Sequence, residues 1–318
     1  MPIAALVVVA GLFVLTKTAD QFVIGAARLA YTLKISPIVI GAVIIGFGTS
    51  APEMVVSAIS AGQGEIDVAV GNIIGSNVAN LTLVMGVAAL VLPLSIKGAT
   101  LRREAPLSTG AVVVFAFLIQ DGLTTKEAVF SAILLVGILA FILYEAARSG
   151  GDEDDLASEV DEYLGEDVEH PVGVETTRTI VGLVGVVAGA YATVWGALEI
   201  ADELGLAKGF VGLTLVALGT SLPELVTSVA AARKGEDDLI IGNLLGSNLF
   251  NSLGVGAAAG FAGPGPITDT NLTGLASFLM VGVAIAAFAF MITGHRIVRW
   301  EGLLLIIAYV VTVPLLAA

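Results

Sequence analysis

Ten stretches of this chain are long and apolar enough to be read as membrane crossings, and that property removes most of fold space. Inside hydrocarbon every backbone N–H and C=O must find its partner within the protein, which leaves only helices or a closed barrel. Runs near 20 residues fit helices, since a barrel strand needs only about 10. The runs fall at roughly 2–33, 37–62, 67–92, 105–120, 126–147, 176–205, 208–233, 238–262, 272–293 and 297–317. The expectation is an all-α polytopic membrane protein of ten helices. Only 13% of residues are charged, against roughly 25% in a soluble domain, which excludes an ordinary soluble enzyme. No basic segment precedes Ile3 and no small-residue cleavage site follows, so the first run reads as a span and not as a signal peptide.

The basic residues give an orientation. Span ends and loops on one side collect Arg28, Lys34, Lys97, Arg102, Arg103, Arg148, Arg178, Arg233, Lys234, Arg296 and Arg299, eleven in all; the other side has Lys126 and Lys208. Lys17 falls within the first run. The positive-inside rule puts the eleven in the cytoplasm and both termini outside, as expected for a multi-pass protein of the cell membrane. Between the fifth and sixth runs, Ser149 to Thr177 holds eleven acids and no base, within a net charge of -14. The chain thus divides into a first half at 1–148, an acidic cytoplasmic linker at 149–177 and a second half at 178–318.

The two halves share a passage. Residues 41–80 read GAVIIGFGTSAPEMVVSAISAGQGEIDVAVGNIIGSNVAN, and 212–251 read GLTLVALGTSLPELVTSVAAARKGEDDLIIGNLLGSNLFN. At a constant offset of 171, 18 of the 40 positions are identical, including G-T-S-x-P-E and G-N-x-x-G-S-N-x-x-N. The repeats extend over about 41–86 and 212–257. Five crossings per half is an odd number, so the halves enter the membrane from opposite faces and form inverted repeats. In secondary transporters of this kind the site lies near the midplane, where broken helices of the two halves meet.

Glu53 and Glu224 fall deep in the second and seventh runs. A bare carboxylate there costs roughly 2.5–3.5 kcal/mol on insertion scales, so each needs a cation, a proton or a basic partner. No Lys or Arg lies in the core of those spans or of the third and eighth, and a bound cation is the economical answer; a protonated, hydrogen-bonded pair is the other. Pro52 and Pro223 kink their helices and free the carbonyls of Gly48 and Gly219, loosening those of Thr49 and Thr220. Hard cations such as calcium take six to eight carboxylate and carbonyl oxygens, which this set supplies. With no cysteine and two histidines, thiolate and imidazole metal sites have little to work with. Ser50, Ser221, Ser76, Asn77, Asn80, Ser247, Asn248 and Asn251 add neutral oxygens; interhelical hydrogen bonding is the alternative use of the Asn and Ser side chains. Gly75 and Gly246 suit close helix packing.

GFGTSAPE with GNIIGSNVAN, and VALGTSLPE with GNLLGSNLFN, resemble the two alpha-repeats of the sodium/calcium exchanger family within the calcium/cation antiporter superfamily. The short linker makes the chain similar to prokaryotic-type members without large regulatory domains. The resemblance implies antiport of sodium against calcium by alternating access, with the first and sixth spans sliding past the rest. It implies that Glu53 and Glu224 ligate both ions and that Thr49 and Thr220 give carbonyls to calcium. It puts Ser50, Ser76, Ser221 and Ser247, with carbonyls of Gly46 and Ala217, around sodium, and makes Asn80 and Asn251 the central polar pair. Potassium-dependent members often carry Asp where this chain has Asn251, which speaks against potassium dependence. Proton/calcium or potassium-dependent sodium/calcium antiport is the alternative reading and a channel a less favoured one. No enzyme chemistry is expected: no nucleophile–base pair appears, and His170 and His295 read as solvated loop residues. Nor is any cofactor, nucleic acid or protein partner expected beyond the transported ions and the bilayer. The sequon Asn271-Leu-Thr falls outside on this topology.

The acids of the linker read as a solvated tether, because no spacing from Asp152 to Asp155 matches an EF-hand loop. Deleting 152–169 is therefore expected to leave the calcium dependence of transport unchanged in proteoliposomes; a shifted dependence would make the linker a calcium sensor.

Overall fold

The computed structural model describes residues 1–35, 40, 46–149 and 171–317. The first half runs through α1 (Pro2–Thr32), the short α2 (Gly46–Thr49), α3 (Ala51–Gly62), α4 (Ile66–Val91), α5 (Glu104–Leu118) and α6 (Thr125–Ser149). The second runs through α7 (Val172–Leu204), α8 (Lys208–Thr220), α9 (Leu222–Lys234) and α10 (Asp237–Leu249). A π-helical segment, Phe250–Val255, leads from α10 into α11 (Gly256–Ala262), and α12 (Ser277–Ile292) and α13 (Arg299–Ala317) complete the chain.

Among the described residues seven helices are long and apolar enough to cross a membrane, and the bent pair α8–α9 makes an eighth. Of the ten expected runs, two fall short of that test. The second is described from Gly46, and 36–39 and 41–45 lie outside the described residues. The eighth is helical from Asp237 to Ala262 but opens on two aspartates and is rich in Gly and Asn. The chain is a helical, multi-pass bundle of two inverted repeats, with one small departure from an all-α fold. Leu94–Ser95 (β1) and Arg296–Ile297 (β2) pair antiparallel, Leu94 opposite Ile297, and tie the connection after α4 to the one before α13. An isolated bridge, Leu123 to Gly265, does the same for two other connections.

The start of α7 corrects the linker. The helix begins at Val172, so Glu175 is part of it and not of a solvated tether. It is buried, 3.6 Å from Arg28 of α1 and 3.3 Å from Arg178 one turn on. Asp152 to Glu169 and His170 lie outside the described residues. His295 is exposed, as expected.

Small residues set the packing, as they must where lipid removes the hydrophobic drive between helices. α1 and α7 run antiparallel along each other. A Cβ on Gly189 would meet Leu15 N at 2.6 Å, and one on Gly182 would meet Phe22 N at 2.6 Å. Leu15 and Ala19 of α1 and Val186, Ala190 and Val194 of α7 join Val56 of α3, Val68 of α4 and Val211 and Val216 of α8 in an apolar cluster beside the larger one. α4 meets α8 even more closely: a Cβ on Gly71 would lie 2.3 Å from Gly209 O, and one on Gly75 would lie 2.1 Å from Leu213 O. Gly75 thus packs closely, as expected; for Gly246 no described atom stands within 4 Å of that position.

Gly75→Ala should destabilise the protein by about 1–3 kcal/mol through overpacking against backbone. Gly110→Ala, on an exposed face of α5 with nothing within 4 Å, should be neutral or slightly stabilising. Thermal unfolding in detergent separates the two.

Candidate functional site

Each repeat breaks a helix at one serine. α2 ends at Thr49 and α3 begins at Ala51; Ser50 between them has φ -92° and ψ 7°. α8 ends at Thr220 and α9 begins at Leu222; Ser221 has φ -87° and ψ 1°, and the axis bends by 41°. Both serines sit in the sparsely populated bridge region. The cause is the proline two residues on, which lies in the first turn of the new helix, where its missing N–H does no harm. That missing N–H leaves the Gly48 and Gly219 carbonyls without their helical donor. The turns themselves are held: Met54 N–H donates to Ser50 O at 3.0 Å and Leu225 N–H to Ser221 O at 3.1 Å.

Glu53 and Glu224 each follow their proline, in the first turn of α3 and α9, where the helix N-terminus favours negative charge. Glu53 is 0% exposed and Glu224 3%. Among the described residues the four carboxylate oxygens are buried without a hydrogen bond, the Thr220 hydroxyl beside Glu53 being directed to Asn72 Oδ1 and Ala217 O. Asn72 bonds both Glu53 O and the Thr220 hydroxyl, so the two halves bring their broken turns to one region. No group of three or more His, Asp or Glu gathers among the described residues, so the charge of this site is the pair alone.

Other orphaned atoms belong to the same repeated motifs. Ser76 Oγ, Asn77 Oδ1, Asn80 Oδ1, Ser221 Oγ, Ser228 Oγ and both amide atoms of Asn251 are buried without a partner. Buried polar atoms are hydrogen-bonded in the great majority of cases, so these unpartnered oxygens, beside one amide nitrogen of Asn251, suit a ligand that binds oxygen lone pairs. A cation does. Asn80 and Asn251 also sit in π-helical segments, Asn80–Val84 and Phe250–Val255, a local widening that is frequent at functional sites.

The remaining expected residues are drawn into contacts between the repeats. Thr49 Oγ1 and Ser247 Oγ lie 3.1 Å apart, and Ser50 Oγ donates to Ser247 O at 3.5 Å. Asn80 Nδ2 donates to Asn248 Oδ1 at 3.1 Å, and Asn248 Nδ2 to Asn77 O at 3.2 Å. Interhelical bonding thus accounts for part of Asn80, while its oxygen stays free. Ala217 O already accepts the Ser221 N–H at 3.0 Å and the Thr220 hydroxyl at 3.2 Å, so a sodium ion there would share or displace those donors. Gly46 opens α2, four residues before Ser50.

Asn72 is a residue the sequence reading passed over. It is fully buried; its Nδ2 donates to Ser57 Oγ at 3.0 Å and to Glu53 O at 3.4 Å, and its Oδ1 accepts the Thr220 hydroxyl at 3.4 Å. It links the broken turn of one repeat to that of the other. The signal was present: Gly-Asn recurs at 71–72 and 242–243. The pair is not equivalent in space. Gly71, Asn72 and Gly75 are buried, whereas Gly242, Asn243 and Gly246 are half-buried, so the site is more enclosed on its α4 side than on its α10 side.

The family described as sodium/calcium exchanger protein matches residues 3–146 and 176–317. The chain is 37% identical to the putative antiporter CaxA of Alkalimonas amylolytica, over 98% of this chain and 97% of the relative. It is 30% identical to the sodium/calcium exchanger MaX1 of Methanosarcina acetivorans, over 96% of each. Its fold superposes on a structure of the sodium-calcium exchanger NCX_Mj soaked with sodium and strontium, with TM-score 0.64 and 28% identity, covering 98% of this chain and 97% of the other.

Asn72→Leu leaves buried polar atoms of Ser57 and Thr220 without this partner and should destabilise the protein by about 1–3 kcal/mol. Asn243→Leu, at a half-buried position, should cost clearly less. Unfolding midpoints of the two variants in detergent make the comparison; equal losses would contradict the asymmetry.

Proposed function

Because the chain belongs to the sodium/calcium exchanger family, we propose that it exchanges sodium for calcium across the cell membrane, by alternating access to one site built on Glu53 and Glu224. The observation that carries the reading is the pair of buried carboxylates with four unpartnered oxygens, ringed by unpartnered Ser and Asn oxygens. One calcium ion balances the two carboxylates; so do two sodium ions. Calcium, as a hard cation, needs more oxygens than two carboxylates offer. The neutral shell comes from the broken turns and from α4 and α10: carbonyls of Thr49 and Thr220, and the oxygens of Asn80 and Asn251. Sodium sites flank it at Ser50, Ser76, Ser221 and Ser247, with carbonyls of Gly46 and Ala217.

Exchange follows from competition. Both cations need the same two carboxylates, so a loaded site holds one kind or the other, and an empty site leaves two buried charges uncompensated. That cost opposes return of the unloaded carrier and couples the fluxes. A further sodium ion on the serine oxygens makes the sodium-loaded form net positive, and exchange is then electrogenic. The α1–α7 pair, packed closely through Gly182 and Gly189, is the body that shifts against the rest. The basic span ends put both termini outside and α9 and the start of α10 toward the cytoplasm. The half-buried Asn243 side then faces the cytoplasm.

Glu53→Gln and Glu224→Gln should each abolish sodium-gradient-driven calcium uptake into proteoliposomes. Removing one buried charge is worth about 3–5 kcal/mol, or about 100-fold or more in calcium affinity. Uptake retained in both variants refutes the site. In the wild-type protein a potassium potential set with valinomycin should change the calcium flux; a flux indifferent to it means electroneutral exchange. Calcium uptake driven by a pH jump without sodium would instead make this a proton/calcium antiporter.

A further inference from the structure

The two repeats carry the same polar residues but do not bond them alike. At the offset of 171, Thr49 matches Thr220, Ser57 matches Ser228, Asn72 matches Asn243 and Ser76 matches Ser247. In the first repeat Ser57 is secured: Asn72 Nδ2 donates to its Oγ at 3.0 Å, and the Oγ donates to Ala69 O at 3.4 Å. In the second repeat Ser228 is 2% exposed and its Oγ has no partner. Asn243 is half-buried and makes no hydrogen bond among the described residues. A buried hydroxyl without a partner is destabilising, so Ser228 is a liability in this arrangement.

The broken turns differ in the same sense. The Thr220 hydroxyl donates to Asn72 Oδ1 at 3.4 Å, while the Thr49 hydroxyl lies 3.1 Å from Ser247 Oγ. Under the repeat symmetry Ser247 corresponds to Ser76 and not to Asn72. Each threonine thus rests on the opposite repeat's helix, α4 or α10, but at positions one helical turn, or about 6 Å, apart. Both helices keep the other seat vacant: Ser76 Oγ is unpartnered, and Asn243 is unbonded among the described residues. Packed elements with two discrete seats one turn apart are a recurrent form of switch.

We propose that the two threonines exchange seats as the site alternates between the two sides of the membrane, and that Asn72 and Asn243 are the positioning residues that close its outer and cytoplasmic sides in turn. This rests on the exchange reading given above. In the arrangement seen here Asn72 ties together Ser57, Glu53 O and Thr220, on the side that the basic span ends put outside. The Asn243 side is the open one. In the alternate arrangement the symmetry of the repeats seats Thr49 on Asn243 and Thr220 on Ser76, joins Asn243 to Ser228, and parts Ser57 from Asn72. Each arrangement holds one closed set of bonds and one open set. The two are therefore close in energy, as a carrier that populates both requires.

The matched serines separate this switch from a purely structural role. Ser57→Ala removes a bond made only in the present arrangement, and Ser228→Ala removes one made only in the other. In hydrogen–deuterium exchange of the purified protein, Ser57→Ala should speed exchange over 57–76 and slow it over 228–247. Ser228→Ala should do the reverse, and the two together should return both segments toward wild-type rates. Rates that rise in both segments in Ser57→Ala, or that Ser228→Ala leaves unchanged, overturn the switch. In proteoliposomes Ser57→Ala should lower the half-saturating calcium concentration on the outer side and raise it on the cytoplasmic side, each about two- to tenfold, the effect of one hydrogen bond. Ser228→Ala should shift both values the opposite way. Shifts of one sign on both sides would make Ser228 an ion ligand, and overturn the switch while leaving the exchange reading intact. Absence of sodium-driven uptake by the wild-type protein removes the exchange reading, whereas the hydrogen-exchange result stands or falls without it.

Discussion

Two carboxylates without a hydrogen-bond donor, enclosed in a membrane-spanning bundle, are the constraint on which the rest of the structure depends. Each costs several kcal/mol as a bare ion at such depth, and the charge cannot be answered by a base, since no Lys or Arg reaches it. The surroundings are arranged around that deficit. Helix N-termini point at Glu53 and Glu224, prolines free carbonyls beside them, and asparagine and serine oxygens stand unpartnered nearby. A core of this kind is poor as a hydrophobic interior and well suited to a site that must be completed by a cation.

Bringing those groups together requires backbones to approach more closely than ordinary side chains allow. Gly71 and Gly75 let α4 of the first repeat lie against α8 of the second, and Gly48 and Gly219 let α1 lie along both broken helices. The hydrogen bonds follow the same crossed logic, Asn72 to Thr220 and Thr49 to Ser247, each joining one repeat's turn to the other's ligand helix. The site is thus the interface of the two halves. The α1–α7 pair is held through its own glycines, and its apolar cluster continues onto Val56, Val68, Val211 and Val216 of the two repeats.

Much of this was legible beforehand. The glutamates, prolines and serines of the broken turns recur at one offset, and a proline inside an apolar run has few physical meanings. The ends of elements were less legible. Glu175 reads as one more linker acid, yet it is buried in α7 beside Arg28 and Arg178, because its partners come from a helix distant in sequence. Asn72 was hidden for the same reason: its importance lies in reaching Ser57 and Thr220 together, 148 residues apart from the latter. The strap of β1 and β2 has no sequence signature, being two residues on each side.

The sequence by itself determined the inverted topology, the broken helices and the identity of the acid pair. These follow from local rules: apolar length, the missing proline N–H, odd parity and the cost of a charge in hydrocarbon. Only the tertiary structure decided which side chains bond between helices and which stand without a hydrogen bond among the described residues, as with Ser50 against Ser76. It alone decided that two near-identical motifs are unequally enclosed, Asn72 fully and Asn243 in part. Burial and hydrogen bonding at each residue depend on what the opposite repeat places against it, and no repeat carries that information for its partner.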